Sequence, residues 1–285
     1  MPTNRRDFLK IVAAAPAAFL AADALPLLAN PLGYPIGVQT WEVRHLIPHD
    51  FPGTLRMLKG LGFQTIEMCS PWGYEHLGFG GLKKYSGRQL RRIIHDQGLE
   101  CISSHFGVTE LQKHQPARLE WAHEMGLTQM MVPSLNGPKR PTADQVKRIA
   151  DNYNQIAARA HRAGIQQGLH NESWVDGKTN DGKLIYNLLF EYLDPKLVKF
   201  QYQISSIEFG FNVLHYFRRY PGRFISMHLQ GWSATERKIV PIGQGTLNWH
   251  AIFAAARPAG VKNYFVEMSL PLMKASLPYL KAFPA

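Results

Sequence analysis

Thr142–Glu172 reads TADQVKRIADNYNQIAARAHRAGIQQGLHNE, and its pattern is the unit from which the rest of the chain is built. Thr142 has a hydroxyl suited to a helix N-cap. Val146, Ile149, Tyr153, Ile156 and Ala160 then recur at helical spacing, so a helix over Thr142–Ala163 turns one face inward. Gly164 follows, where a left-handed C-cap is expected. Ile165–His170 is a short apolar run of the kind buried in a parallel sheet, and it ends in His170-Asn171-Glu172. A helix, a glycine, a buried strand and then polar ligand-type side chains make one beat of an alternating α/β fold.

The beat recurs in both directions. Strand-like runs lie at Pro35–Trp41, Phe63–Met68, Leu99–His105, Leu127–Val132, Ile165–His170, Leu197–Gln203, Arg223–Leu229 and Asn263–Met268. Between them Asp50–Gly60 carries Phe51, Leu55 and Leu58 on one face, and Ser86–Gln97 starts on a cap-like serine with Leu90, Ile93 and Ile94 inward. Glycines 62, 98, 126, 164 and 260 each follow a helical segment and precede a strand. An open doubly wound sheet usually carries a glycine-rich phosphate loop after its first strand, and none follows Trp41. The chain of 285 residues is about the size of one closed barrel. The expected fold is a single (β/α)8 TIM barrel over residues 30–285.

Residues 1–29 read as an address rather than as part of that fold. Asn4-Arg5-Arg6-Asp7-Phe8-Leu9-Lys10 is a basic region with the twin-arginine pattern, and an apolar, alanine-rich stretch runs from Ile11 to Ala29. Asp23 and Pro26 interrupt the stretch, which argues against a stable membrane span. Cleavage after Ala24 or Ala29 would leave a mature chain in the periplasm or outside the cell. No cysteine follows the stretch, which excludes a lipoprotein.

Hydrophobic residues make up 45% and charged residues 19%, enough for a large core and against disorder. The net charge of +11 raises nucleic acid as a partner, but the densest basic cluster, Arg88, Arg91 and Arg92, lies in a helical pattern without an aromatic stacking platform. No nucleic-acid partner is expected. Cys69 and Cys101 lack metal or redox spacing and read as small core residues.

In a barrel of this kind the chemistry sits at the C-terminal ends of the strands. Those ends carry Glu67, His105, His170-Asn171-Glu172, Gln201 and Gln203, His228 and Gln230, and Glu267. Packing needs none of them, and a buried charge without a partner is costly. Mixed imidazole and carboxylate donors from several strands suit one divalent metal, Mn, Zn, Co or Mg. Such a site can polarise a carbonyl or hydroxyl oxygen while a carboxylate removes a proton from the adjacent carbon. Trp41, Trp72, Trp174 and Trp232 fall after strand ends or in the following loops, where they could stack on a sugar ring. Ser70–Lys84, Ser173–Thr179 and Gly231–Gly245 are long loops that would wall the pocket.

Residues 33–283 resemble the xylose isomerase-like TIM barrels, the sugar phosphate isomerase/epimerase group. The motifs that carry the resemblance are Gly62–Glu67, Ser104-His105, Gly168–Glu172, Ile225–His228, Val240–Trp249 and Gly260–Glu267, the last being the strongest match. The resemblance implies a metal held by an acidic or His ligand from strand 5, an Asp from strand 6, a His from strand 7 and a Glu from strand 8. By position these are His170 or Glu172, Gln203, His228 and Glu267. Two departures stand out: strand 5 reads His-Asn-Glu where His-Asn-His followed by an acidic residue is frequent, and Gln203 replaces the Asp. A Gln carbonyl can ligate a metal but brings no charge.

The resemblance further implies a sugar isomerase or epimerase in which Glu172 and Glu267 are the proton-transfer pair. Glu67, His105, Gln230, Arg237 and Trp41 would contact a small carbohydrate. Two alternatives remain open. One is an exported lyase that cleaves 3-keto glycosides by β-elimination. The other is a non-catalytic sugar-binding barrel, which Gln203 would favour. No phosphate-binding glycine-rich loop is present, so unphosphorylated substrates are expected; homo-oligomer formation is left open.

Overall fold

The computed structural model describes residues 30–284, and the twin-arginine segment with its apolar stretch lies outside them. Eight parallel strands close into a barrel: β1 (Gly37–Gln39), β2 (Thr65–Cys69), β3 (Glu100–His105), β4 (Gln129–Val132), β5 (Gln166–His170), β6 (Val198–Gln203), β7 (Phe224–Leu229) and β8 (Asn263–Val266). Helices α1 (Phe51–Leu61), α2 (Gly87–Asp96), α3 (Val108–Met125), α4 (Ala143–Arg162), α5 (Ile185–Tyr192), α6 (Val213–Arg219), α7 (Trp249–Ala259) and α8 (Leu270–Lys281) follow the strands in turn. The expected (β/α)8 barrel is the fold observed.

Local chemistry explains the punctuation. Ser86 and Thr142 cap α2 and α4, each in a capping box with a glutamine three residues on, Gln89 and Gln145. Glycines 62, 98, 126, 164 and 260 all have positive φ. At Gly260 the requirement is double: φ is +99°, and an added Cβ would lie 2.7 Å from the Phe224 carbonyl oxygen. The first strand is shorter than Pro35–Trp41 because the Gln39 side chain accepts the Trp41 N–H and bends the chain into a 3-10 turn over Thr40–Val43.

Two layers of packing hold the barrel. Outside, aromatic side chains knit β6 and β7 to α5 and α6, with Phe190 stacked on Phe200 at 3.9 Å between ring centroids. The Tyr153 hydroxyl on α4 donates to the Gly168 carbonyl at 2.6 Å and accepts from Gln167 at 2.9 Å, pinning α4 to β5. Inside, the upper barrel is polar. Glu67 on β2 meets Gln201 on β6 and His228 on β7, and His105 on β3 meets Gln201. These strands are not neighbours, so the contacts run across the lumen.

The loops after β2, β5 and β6 fold into short 3-10 turns. The segment after β7, expected as an open wall, is an antiparallel hairpin of Gly231–Ser233 with Lys238–Val240. Trp232 and Ile239 face each other in its register, and so short an alternation had no strand signal of its own. Cys69 and Cys101 are free and buried. Among the described residues no helix is long and apolar enough to cross a membrane.

Gly37 tests how tightly the ring closes. It sits opposite Thr65 on one side and Phe265 on the other. A Cβ there would lie 2.5 Å from Phe265 Cδ1, 2.6 Å from the Tyr264 carbonyl oxygen and 2.7 Å from Thr65 Oγ1. Gly37→Ala is therefore expected to cost about 1–3 kcal/mol, a fall in Tm of roughly 3–10 °C in a thermal melt. An unchanged Tm would show that β1 shifts without strain.

Candidate active site at the strand ends

Glu67 is fully buried in the middle of β2, two residues short of the strand end expected for it, and five side chains donate to it. Gln39 Nε2 lies at 2.8 Å, Ser103 Oγ at 2.5 Å, Gln201 Nε2 at 2.9 Å, His228 Nε2 at 2.6 Å and His105 Nε2 at 3.2 Å. Burial alone would raise its carboxyl pKa. The His105 and His228 imidazoles outweigh burial and hold it well below the usual carboxylate range.

His228 joins this hub to β8. Its Nδ1 lies 3.0 Å from Glu267 Oε2, so each ring nitrogen meets a carboxylate. Burial opposes charging the ring, but Glu267 and Glu67 together push its pKa up to about 10. Gln203 Nε2 also donates to Glu267 Oε2, at 2.8 Å. Glu267 is thereby held below its ordinary value against the effect of its own burial. His105 is raised as well: burial works against its charge and Glu67 wins. Gln201 orders this layer, accepting from His105 at 2.8 Å and donating to Glu67 and to Ser226.

His170 differs from the other two histidines. It is fully buried, and among the described residues neither ring nitrogen has a hydrogen-bond partner. Burial, then the charges on His228 and His105, push its pKa well down, so the ring is neutral. A neutral, unpartnered imidazole is the form that ligates a metal. His170, Glu172 and Glu267 place ligand atoms within 4.8 Å of one another, as do His105, His170 and His228. Gln203 Oε1, beside Glu267, is buried and without a partner too. The orphaned atoms and the donor set both fit a divalent cation held by His170, Glu172, Gln203, His228 and Glu267. His228 would join that set only by giving up its hydrogen bond to Glu267.

Above these residues opens a cavity of about 140 Å³ lined by Trp41, Cys69, Tyr74, His105, Pro133, Glu172 and Glu267. Glu172 stands at its edge with 43% of its side chain exposed. Burial and then the Glu267 charge raise its pKa, against the lowering pull of His105 and His228. The Cys69 thiol is pushed well up by burial and by the Glu67, Glu267 and Glu172 charges, so it stays protonated and is no nucleophile.

The strand-end residues thus converge, but in different roles. Trp41, His105, Glu172 and Glu267 face the cavity, whereas Glu67 lies beneath it with its oxygens taken by protein donors. Gln230 is buried and accepts the Ser205 N–H, fixing the turn after β6. Arg237 sits in the exposed turn of the hairpin and makes no contact with the cluster. Trp174 is tied by its indole N–H to the Pro138 carbonyl, Trp72 packs edge-on to Trp121, and Trp232 is buried in the hairpin. The sequence reading did not single out Gln39, Ser103 and Ser226, the small donors around Glu67 and Gln201. Their inward alternation with the flanking core residues was the available signal. Tyr74, inside a loop, gave none.

A model of the xylose isomerase-like TIM barrel family matches residues 55–281. Among solved structures, a sugar phosphate isomerase/epimerase from Parabacteroides distasonis is 23% identical, with 87% of this chain and 93% of that one covered at a TM-score of 0.70. An L-ribulose 3-epimerase is 16% identical, with 87% and 94% covered at a TM-score of 0.63. The IOLI protein with a bound zinc atom is 14% identical, with 87% and 95% covered at 0.62. No curated protein matches the sequence.

Two outcomes check the electrostatics. Glu67→Gln leaves buried imidazoles without their counter-charge and should lower stability by about 3–5 kcal/mol in urea unfolding at pH 7. Asp176, on the turn after β5, has its carboxyl pushed from 3.8 up to about 7 by burial and then by Glu172. A raised acid favours the protonated native state, so stability falls as pH rises through that window. Asp176→Asn should therefore melt higher than wild type at pH 8 and nearly level with it at pH 4. An equal offset at both pH values would mean that Asp176 does not titrate in this way.

Proposed function

The chain belongs to the xylose isomerase-like TIM barrel family, and from that premise we propose that it is a metal-dependent sugar isomerase or epimerase that moves a proton on the carbon next to a carbonyl. One observation carries the reading. A buried, neutral His170 with no partner lies beside Glu172 and Glu267 at the floor of an open cavity.

Glu172 is the proton-transfer group. It reaches the cavity, and its raised pKa brings it toward the range in which a carboxylate both accepts and returns a proton. Glu267 is the second carboxylate at the reacting carbon, kept ionised by His228 and Gln203. His105 has its Nε2 committed to Gln201 and Glu67, which leaves Nδ1 to donate to a substrate oxygen. Trp41 offers a ring wall for an apolar sugar face. Held by His170, Glu172, Gln203 and Glu267, with His228 joining only if it releases Glu267, a divalent ion would supply stabilisation of the negative charge that develops on the carbonyl oxygen. Imidazole among the donors favours Zn, Mn or Co over Mg. The twin-arginine pattern at Asn4–Lys10 supports action on a small carbohydrate outside the cytoplasm.

Metal analysis of the purified protein should find about one divalent ion per chain, lost in Glu267→Gln. Chelation should lower the Tm of wild type, because a ligand bound only by the native state stabilises it. With a panel of ketoses and aldoses in D₂O, wild type should place deuterium next to the carbonyl. Glu172→Gln should slow that exchange by about 10²–10⁴-fold. Absence of metal after reconstitution, or of deuterium across the whole panel, would overturn the reading.

A further inference from the structure

The strand-end cavity of about 140 Å³ is smaller than the roughly 300–1,000 Å³ usual for a ligand site. A second cavity of about 560 Å³ adjoins it, and Pro133 lines both. The contact continues along the chain: Tyr74 and His105 line the first cavity, and Gly73, Glu75 and Gly107 line the second. A ligand larger than the reacting carbons has this second space to occupy.

Its wall is built around Arg118. Only 8% of this residue is exposed, and its guanidinium lies 3.8 Å over the Trp72 ring. Arg118 Nε donates to Glu110 Oε1 at 2.6 Å. Among the described residues, Nη1 and Nη2 meet no acceptor. Glu110 is fully engaged in holding this geometry, since it also accepts from Ser70 Oγ at 2.6 Å and from the Gly107 N–H at 3.3 Å. A guanidinium stacked on one face and clamped at Nε presents its remaining edge as a preorganised pair of donors, matched to the oxygens of an oxyanion.

The surrounding charges agree. Glu75 pairs with Lys83, and Glu110 pairs with Arg118, so each acid is offset. Lys113 lines the same cavity and among the described residues has no carboxylate within salt-bridge distance, and His114 stands beside it. Pro116 breaks the ladder of α3, and His114 has non-helical angles at that kink; residues on both sides of it line the cavity.

We propose that this second cavity is a subsite for an oxyanion on the substrate, so that the protein takes acidic saccharides: a sugar bearing a carboxylate or sulfate away from its reacting carbon or, against the expectation of unphosphorylated substrates, a phosphate. Arg118 receives the oxyanion in a fork, and Lys113 adds a second positive charge. The proposal deepens the sugar-enzyme reading and rests on it for the saccharide, but the anion subsite stands on different residues. Arg118 and Lys113 act in binding and not in proton transfer.

Calorimetric titration of the full chain at fixed ionic strength tests this with sulfate, phosphate, glucuronate and glucose. Sulfate should bind and should compete with glucuronate. Glucuronate should bind about tenfold tighter than glucose, the size expected for charge-assisted hydrogen bonds. Arg118→Gln should abolish that preference. Lys113→Ala, at an exposed position that does not threaten folding, should reduce it about threefold. Phosphate outcompeting both sulfate and glucuronate would assign the phosphorylated sugars, and the reverse order the uronic or sulfated ones. Glu267→Gln should retain the preference, since the subsite does not use the metal ligands. Failure of wild type to bind sulfate, or equal affinity for glucose and glucuronate, would overturn the subsite. A preference unchanged in both Arg118→Gln and Lys113→Ala would do the same. Loss of metal binding and deuterium exchange with the preference intact would sink only the enzyme reading.

Discussion

The His228 imidazole lies between Glu67 and Glu267, with 2.6 Å to one and 3.0 Å to the other. These three side chains come from β7, β2 and the residue just after β8, so one chain of hydrogen bonds ties strands on different sides of the lumen. Each partner alone would be an expensive buried charge. Together they satisfy one another, and Gln39, Ser103, Gln201 and Gln203 supply the remaining donors. A barrel interior is normally filled by branched aliphatic side chains. Here the upper layer is a polar network instead, and its rigidity rests on the pairing of Glu67, His105, Gln201, His228 and Glu267. His170 stands out against that background as the member without a partner.

The network also separates support from contact. Glu67 is held low and lies under the cavity, while Glu172 is raised and lies at its edge. Two carboxylates of the same length take opposite protonation preferences because one is surrounded by donors and the other by a like charge and apolar walls. The cavity then needs only a few loop residues, Trp41, Tyr74 and Pro133, to give it shape.

The sequence carried the barrel because its signals are local. Helix caps at Ser86 and Thr142, glycines at helix ends and eight short apolar runs each report on a few neighbouring residues. The ligand-type residues at the strand ends were legible for the same reason, since strand direction and position fix which end they occupy. Their partners were not, because contacts such as that of Glu67 with His228 span 161 residues and depend on the closure and stagger of the barrel. Arg237 illustrates the limit. It looked like a basic residue in a pocket-walling loop, but the hairpin carries it outward to an exposed turn. Arg118 illustrates the converse: in a helical pattern it reads as one more solvated arginine, and only the packing of Trp72 and Glu110 around it makes it a buried fork.

The two departures from the family pattern bear on each other through charge. In that pattern strand 6 supplies an Asp, and strand 5 frequently reads His-Asn-His. Here Gln203 removes a carboxylate from strand 6, while strand 5 keeps an acidic residue, Glu172. An Asp at 203 would set a second carboxylate against Glu267, where the Gln amide now donates at 2.8 Å. With Glu172 already raised by Glu267, a further negative charge in the same buried cluster would be repelled by both. The substitution at 203 therefore keeps the number of carboxylates tolerable and leaves Glu172 at the edge of the cavity. A carboxylate at that edge is placed to exchange a proton with a ligand in the cavity. Gln203 thus trades a negative charge for a hydrogen bond to Glu267, and Glu172 and Glu267 are the carboxylates left beside His170.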